Sequence, residues 1–319
     1  MKRQKQLLSS LAALAALLLV PSSASAIDNY STFTAKTVEG IDMTFYVGNV
    51  SDGVCQVFNN NYPAIDVNTT GTVTIPSEVE GLKVTRIGDH AFYGCTGITT
   101  VNIPNTVTTL GHYAFYNCTS LTTITGIASL EYIGEWSTNA GVFCNTPWYD
   151  NLPDGLLYLG KVLYKYKGTM PDNMAVTVKE GTKSISNYAF WKCSGLTSIS
   201  IPASVDEVSY DAFGYCSNLA SITVAAGNEK YDSRNNCNAI VETSTNTIIV
   251  GCKNTTFPST VTAIGSLAFY RCTGLTSLVL PNNIEKLEYR CFEGCSSLES
   301  VVIGNGLKSL VDGDRFIFC

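Results

Sequence analysis

Apolar and polar positions recur along this chain in a fixed frame. In "KSISNYAFWKCSGLTSISIP" (Lys183 to Pro202) Leu196, Ile199 and Ile201 are apolar, and Ser and Thr fill the positions between them. That alternation predicts a strand with one buried face, and Pro202, which has no N–H to donate, ends it. A short turn leads to a second apolar pair, Val205 and Val208. The Ala-Phe pair that follows (Ala212-Phe213) supplies a small and a bulky filler for a back layer, and Cys216 turns the chain toward the next strand.

The frame repeats. Cys95 to Cys118, Cys193 to Cys216 and Cys272 to Cys295 are each 23 residues apart, and Cys295 to Cys319 is 24. Aligned on these cysteines, the chain gives one template: apolar-x-x-Ile-Gly-x-x-Ala-Phe-x-x-Cys-x-x-Leu-x-x-Ile-x-Ile-Pro. Full copies run over Val84–Pro104, Val107–Gly126, Lys183–Pro202, Val205–Val224, Val261–Pro281 and Ile284–Ile303. A degenerate copy starts near Leu130, and a last one, from Leu307, stops at Cys319 in mid-template. That end either pairs with something or is a shortened product. One such unit cannot bury its own apolar face, so stability needs stacking on neighbours. Identical slots then fall above one another as columns of Phe, Leu and Cys along one spine.

This template resembles the BspA-like, or treponemal-type, leucine-rich-repeat proteins, from about Gly71 to the C-terminus. The fold expected is a β-rich solenoid of about 23 residues per turn. The stretches Asn145–Gly168 and Tyr231–Thr255 resemble the β-hairpins that such proteins insert between repeats, placing insertions at about 147–180 and 227–257. Residues 27–80 lack the repeat and read as a β-rich N-terminal cap, leaving the solenoid at 81–319. The family implies a cell-surface or secreted bacterial protein that binds proteins in adhesion to host matrix, plasma proteins or other cells. The alternative is a glycan-binding accessory protein of the bacterial surface or periplasm.

The first residues give an address. A basic start (Lys2, Arg3, Lys5), an apolar run from Leu7 to Val20 and small residues ending at Ala24-Ser25-Ala26 make a Sec signal peptide over Met1 to Ala26. No later segment is long and apolar enough for a membrane span in the mature chain. The net charge of −6 and the small charged fraction of 14% offer no basic face, so nucleic acid is not an expected partner.

Twelve cysteines on an exported chain raise the question of disulfides. Seven sit in the ladder slot and read as buried free thiols. Cys291 takes the Ala slot, and Cys55 and Cys144 have no slot. Cys237 and Cys252 flank a predicted turn at Ser244-Thr245 almost symmetrically, which makes them a candidate disulfide.

No catalytic constellation emerges. The chain has no G-x-S-x-G, H-E-x-x-H or phosphate-binding glycine loop, and its two histidines, His90 and His112, fall near the same turn of successive repeats. No enzyme activity, catalytic residue, metal ligand set or cofactor is expected, and a stacked solenoid offers no deep pocket by default. Two surface rows remain as candidates. One is the outward side of the strands: Thr100, Asn102, Thr123, Thr125, Ser198, Ser200, Ser221, Thr223 and Ser277. It reads either as a concave binding sheet or as a soluble β surface. The other is the aromatic slot after Ala-Phe: Tyr93, Tyr116, Trp191 and Tyr270. It reads either as a row for protein or sugar contacts or as packing between turns.

Overall fold

The computed structural model describes residues 28–135 and 141–310. The signal peptide (Met1 to Ala26), the segment Trp136 to Ala140 of the degenerate repeat and the terminal Cys319 lie outside the described residues.

The chain winds as a β-solenoid, and each coil contributes to two parallel ladders. The front ladder is built from the Leu-x-x-Ile-x-Ile runs. Its strands form three groups: Gly71–Thr74, Ile98–Asn102 and Thr123–Thr125; then Met174–Thr177, Leu196–Ile201 and Ser221–Val224; then Ser277–Leu280 and Ser300–Ile303. Pairing is parallel and in repeat register, with Val101 opposite Ile124, Ile199 opposite Ile222 and Leu278 opposite Val301. A coil-to-coil register of one whole repeat is what stacks like side chains.

The second ladder uses the short Val-x-x-Ile stretches. Leu82–Ile87, Thr109–Leu110 and Tyr132–Ile133 continue a sheet that begins with the antiparallel strands Ser31–Lys36, Asp42–Val47 and Val54–Val57. Val54–Val57 then pairs parallel to Leu82–Ile87, which joins the N-terminal strands to the coils. Gly71–Thr74 already belongs to the front ladder, so the repeats start inside the stretch expected as cap.

The two hairpins do more than fill gaps. Gly155–Leu159 pairs antiparallel with Val162–Lys167, and Val162–Lys167 then pairs parallel with Ser184–Ile185. Ile240–Glu242 pairs antiparallel with Thr247–Val250, which pairs parallel with Ala263–Ile264. The outgoing strand of each hairpin therefore stands in for a coil's second-ladder strand, and both front breaks occur where a hairpin enters.

A third line of hydrogen bonds runs through the back turns. The amides of His90, Phe92 and Gly94 donate to the carbonyls of His112, Ala114 and Tyr116 one coil on, and Leu267, Phe269 and Arg271 do the same with Tyr289, Cys291 and Glu293. Every second N–H must point along the axis, and the chain achieves this with left-handed residues. The residue before the ladder cysteine has positive φ in all six full copies: Gly94, Asn117, Lys192, Tyr215, Arg271 and Gly294.

The apolar slots fill the interior. Phe92, Phe115 and Phe143 stack with centroids 5.1 and 5.7 Å apart; Phe190 lies 5.3 Å from Phe213, and Phe269 4.9 Å from Phe292. The expected single Phe column is thus three runs, each belonging to its own core group. The hairpins enter between the runs, and at the first junction Tyr164 meets Phe143 edge-on.

Candidate binding surfaces

The cysteine slot is closed to solvent and chemically quiet. Cys118, Cys216 and Cys295 each donate their thiol to the carbonyl of the Phe one coil back, at 3.0, 3.1 and 3.2 Å. A thiol is a small apolar filler with a weak donor, which suits a position facing a carbonyl inside the core. Burial pushes the thiols of Cys95, Cys193 and Cys272 up to about 12. In the degenerate copy Thr146 takes this slot, and its hydroxyl donates to Phe143 at 2.7 Å. Cys144, without a slot in the template, takes the position after that Phe and is half-buried.

The expected Cys237–Cys252 disulfide is absent from this structure: both are buried free thiols. A bulge between Ile240 and Val241 sets the hairpin one residue off the symmetric register. Ile240 faces Val250, so Cys252 falls beside Asn238, and its thiol donates to the Asn238 carbonyl at 3.2 Å.

The front sheet presents the predicted polar rows in register. Thr100 lies beside Thr123 and Asn102 beside Thr125; Ser198 lies beside Ser221, Ser200 beside Thr223, and Ser277 beside Ser300. The rows are tied sideways. Asn102 Nδ2 donates to Thr74 Oγ1 at 3.0 Å, Thr125 Oγ1 to Asn102 Oδ1 at 2.9 Å, and Thr223 Oγ1 to Ser200 Oγ at 3.0 Å. Thr74 and Thr177 extend the two rows; the sequence template missed them because both strands precede a full copy. In the third group the outward pair is apolar, with Val279 opposite Val302 and 60% and 58% exposed.

Charge is collected on the other ladder. The carboxylates Asp206, Glu207 and Glu285, which look scattered in the sequence, belong to one column beside the second-ladder strands. Glu131 pairs with Lys161 at 2.6 Å, Asp206 with Lys183 at 3.0 Å, Glu207 with Lys230 at 3.3 Å and Glu285 with Lys308 at 2.7 Å. Exposed pairs of this kind add little to stability, because water screens them. Where the second hairpin interrupts this ladder, an open groove of about 560 Å³ lies between Glu207, Tyr210, Glu242 and Glu288. The chain therefore has a surface depression that the plain repeat did not predict.

The four expected aromatics form two clusters rather than one row. Tyr93 and Tyr116 stack at 5.2 Å, and His90 stacks on Tyr113 at 5.1 Å. Burial lowers the His90 pKa, and His112 lowers it further against the opposing pull of Asp89. In the other cluster Trp191 packs edge-on to Tyr215 at 4.9 Å and over Tyr270 at 6.3 Å, and the Arg271 guanidinium sits 4.8 Å from the Tyr215 ring. Trp191 reaches Tyr270 because the intervening coil has Gly214 in the aromatic slot; a Cβ there would lie 2.3 Å from the indole.

The repeat geometry is matched by sequence comparison. The profile of the BspA type leucine rich repeat region fits residues 68–145, 173–247 and 246–314, in six copies. The chain belongs to the BspA-type leucine-rich-repeat family. Similar solved structures include a leucine-rich repeat protein from Eubacterium ventriosum (19% identity, 91% of this chain and 83% of that one, TM-score 0.39). The pneumococcal vaccine antigen PcpA matches at 18% identity over 88% of this chain and 72% of its own, with a TM-score of 0.43. A leucine rich cell surface protein from Faecalibacterium prausnitzii matches at 18% over 88% and 96%, with a TM-score of 0.33. No curated protein matches significantly by sequence. Among the described residues of this BspA-type chain, no helix is long and apolar enough to cross a membrane and no group of three His, Cys, Asp or Glu is placed to hold a metal ion.

Proposed function

We propose that this BspA-type solenoid is an exported bacterial surface protein that adheres to protein partners on a host or neighbouring cell through its front sheet. The observation that carries this reading is the set of uncharged, outward Ser, Thr and Asn rows held in register by side-chain hydrogen bonds, Thr74–Asn102–Thr125 and Ser200–Thr223. Ordered side chains lose little freedom on docking, and an extended sheet face is the surface solenoids use for partners. A sugar platform needs open ring faces, whereas Trp191, Tyr215, Tyr270 and Arg271 cover one another. Protein therefore ranks above glycan as the partner class, and a binding scaffold above an enzyme.

The test is a binding panel of host matrix and plasma proteins alongside a glycan array. Thr125→Arg and Ser200→Arg place bulk and charge on the front; Tyr116→Ala changes the back; Lys161→Ala changes the charged flank. Protein capture that is lost only in the two front variants supports the reading. Capture of glycans alone, or loss confined to Tyr116→Ala, overturns it. Export is checked by N-terminal sequencing, with Ile27 as the expected first residue of the mature product.

A further inference from the structure

We infer that the groove beside the second hairpin receives an arginine side chain, presented by an extended segment of a protein partner. This site lies on the second ladder and does not depend on the proposed front face.

Strand register builds the groove. Tyr231 lies opposite Glu242, Glu242 opposite Thr247, Thr247 opposite Ala263 and Ala263 opposite Lys286, so these side chains form one row across a single sheet. Residues opposite one another share a face, and the two in the middle of this row are small. Glu242 and Lys286 are therefore banks about 14 Å apart, three strand spacings, with Thr247 and Ala263 as the floor between them. Gly265 continues the floor, and Glu207 and Tyr210 close it from the neighbouring sheet edge. The resulting space is about 560 Å³ and open to solvent.

The groove leaves one charge unanswered. Glu207 meets Lys230 at 3.3 Å, Glu288 meets Lys286 at 2.6 Å and Glu285 meets Lys308 at 2.7 Å. Glu242 accepts only the Thr245 hydroxyl, at 2.7 Å on Oε2, and forms no ion pair among the described residues. Its Oε1 is left for a ligand. Tyr210, which lines the same groove, is 57% exposed, so an aromatic face stands open beside the carboxylate.

A guanidinium answers both features. It is permanently charged, its planar fork donates to a carboxylate, and its flat face stacks on an aromatic ring. A lysine ammonium is a compact, strongly hydrated charge and matches only the first feature. A second depression of about 470 Å³, bordered by Asp206, Glu229 and Thr243, adjoins the groove at Lys230. It gives room for the residues that flank the arginine, which is why an extended segment suits the site.

The test is fluorescence anisotropy of a labelled, amidated peptide Gly-Ser-Arg-Ser-Gly against the full chain, with lysine and citrulline versions beside it. The arginine peptide should bind about tenfold more tightly than the neutral citrulline version, and more weakly as salt rises. Glu242→Gln keeps the shape of the bank and should weaken the arginine peptide by about tenfold. Tyr210→Ala should weaken it by about threefold. Glu131→Gln, which alters a carboxylate of the same ladder outside the groove, should change nothing. Equal binding of arginine and citrulline, or no binding of the arginine peptide, overturns the proposal. So does an equal loss in Glu131→Gln and Glu242→Gln, since that marks unspecific attraction to an acidic chain.

Discussion

The thiol of Cys118 donates to the carbonyl of Phe92, one coil back and 3.0 Å away, while the same carbonyl accepts the amide of Cys95. The slot therefore asks for a small side chain that is apolar and still carries a donor. Cys118→Ala leaves a void and removes that bond, and it is expected to cost about 1–3 kcal/mol. Urea denaturation checks this; an unchanged midpoint would show that the slot is indifferent to the thiol.

The buried thiols make stability fall at alkaline pH. Cys95, Cys193 and Cys272 are raised in the folded chain from an ordinary 9.0 to about 12. Below pH 9 both folded and unfolded chains keep these protons, so their contribution is constant. Between 9 and 12 only the unfolded chain releases them, and each thiol then weakens folding by about 1.4 kcal/mol per pH unit. Under reducing conditions the melting temperature should drop across that window, and Cys193→Ala should drop less steeply than wild type.

Gly214→Ala puts a methyl group 2.3 Å from the Trp191 indole. The ring has to leave its place against Tyr215 and Tyr270, at about 1–3 kcal/mol. A shifted Trp emission with a lowered melting temperature is the expected result, and adding Trp191→Ala should recover part of the loss that Gly214→Ala causes.

Lys192 holds φ of +61° in the position where two other copies have glycine. Lys192→Gly removes the Cβ penalty of that conformation and should leave stability unchanged or raise it by about 1 kcal/mol. Lys192→Val should lower it, because a β-branched residue tolerates that conformation worst. Thermal melts of the two variants decide the sign.

The sequence carried the coils because burial demands the same residue type in every copy: Phe92, Phe115 and Phe143, or Ile199 above Ile222, are visible as spacing. The outward rows followed from the same alternation, as Thr100 beside Thr123 shows. Other features depend on backbone or distance rather than on residue type. Lys192, Tyr215 and Arg271 share a left-handed conformation that no common side chain announces. Asp206 and Lys183 meet only through coil stacking, 23 residues apart. The hairpins showed as gaps in the count, yet nothing in "GLLYLGKVLYKYKG" says that Val162–Lys167 will substitute for a coil strand. The bulge at Ile240 moved Cys252 by one place, enough to defeat a symmetric reading.

The segregation of charge has a consequence for any encounter. Lysines and carboxylates line one ladder, while the outward rows of the front sheet carry hydroxyls, an amide and two valines. A molecule docking on that front meets no charged side chain in its outward rows, so its arrival rate should depend only weakly on ionic strength. Its grip would rest on fit at close range, which added salt screens little.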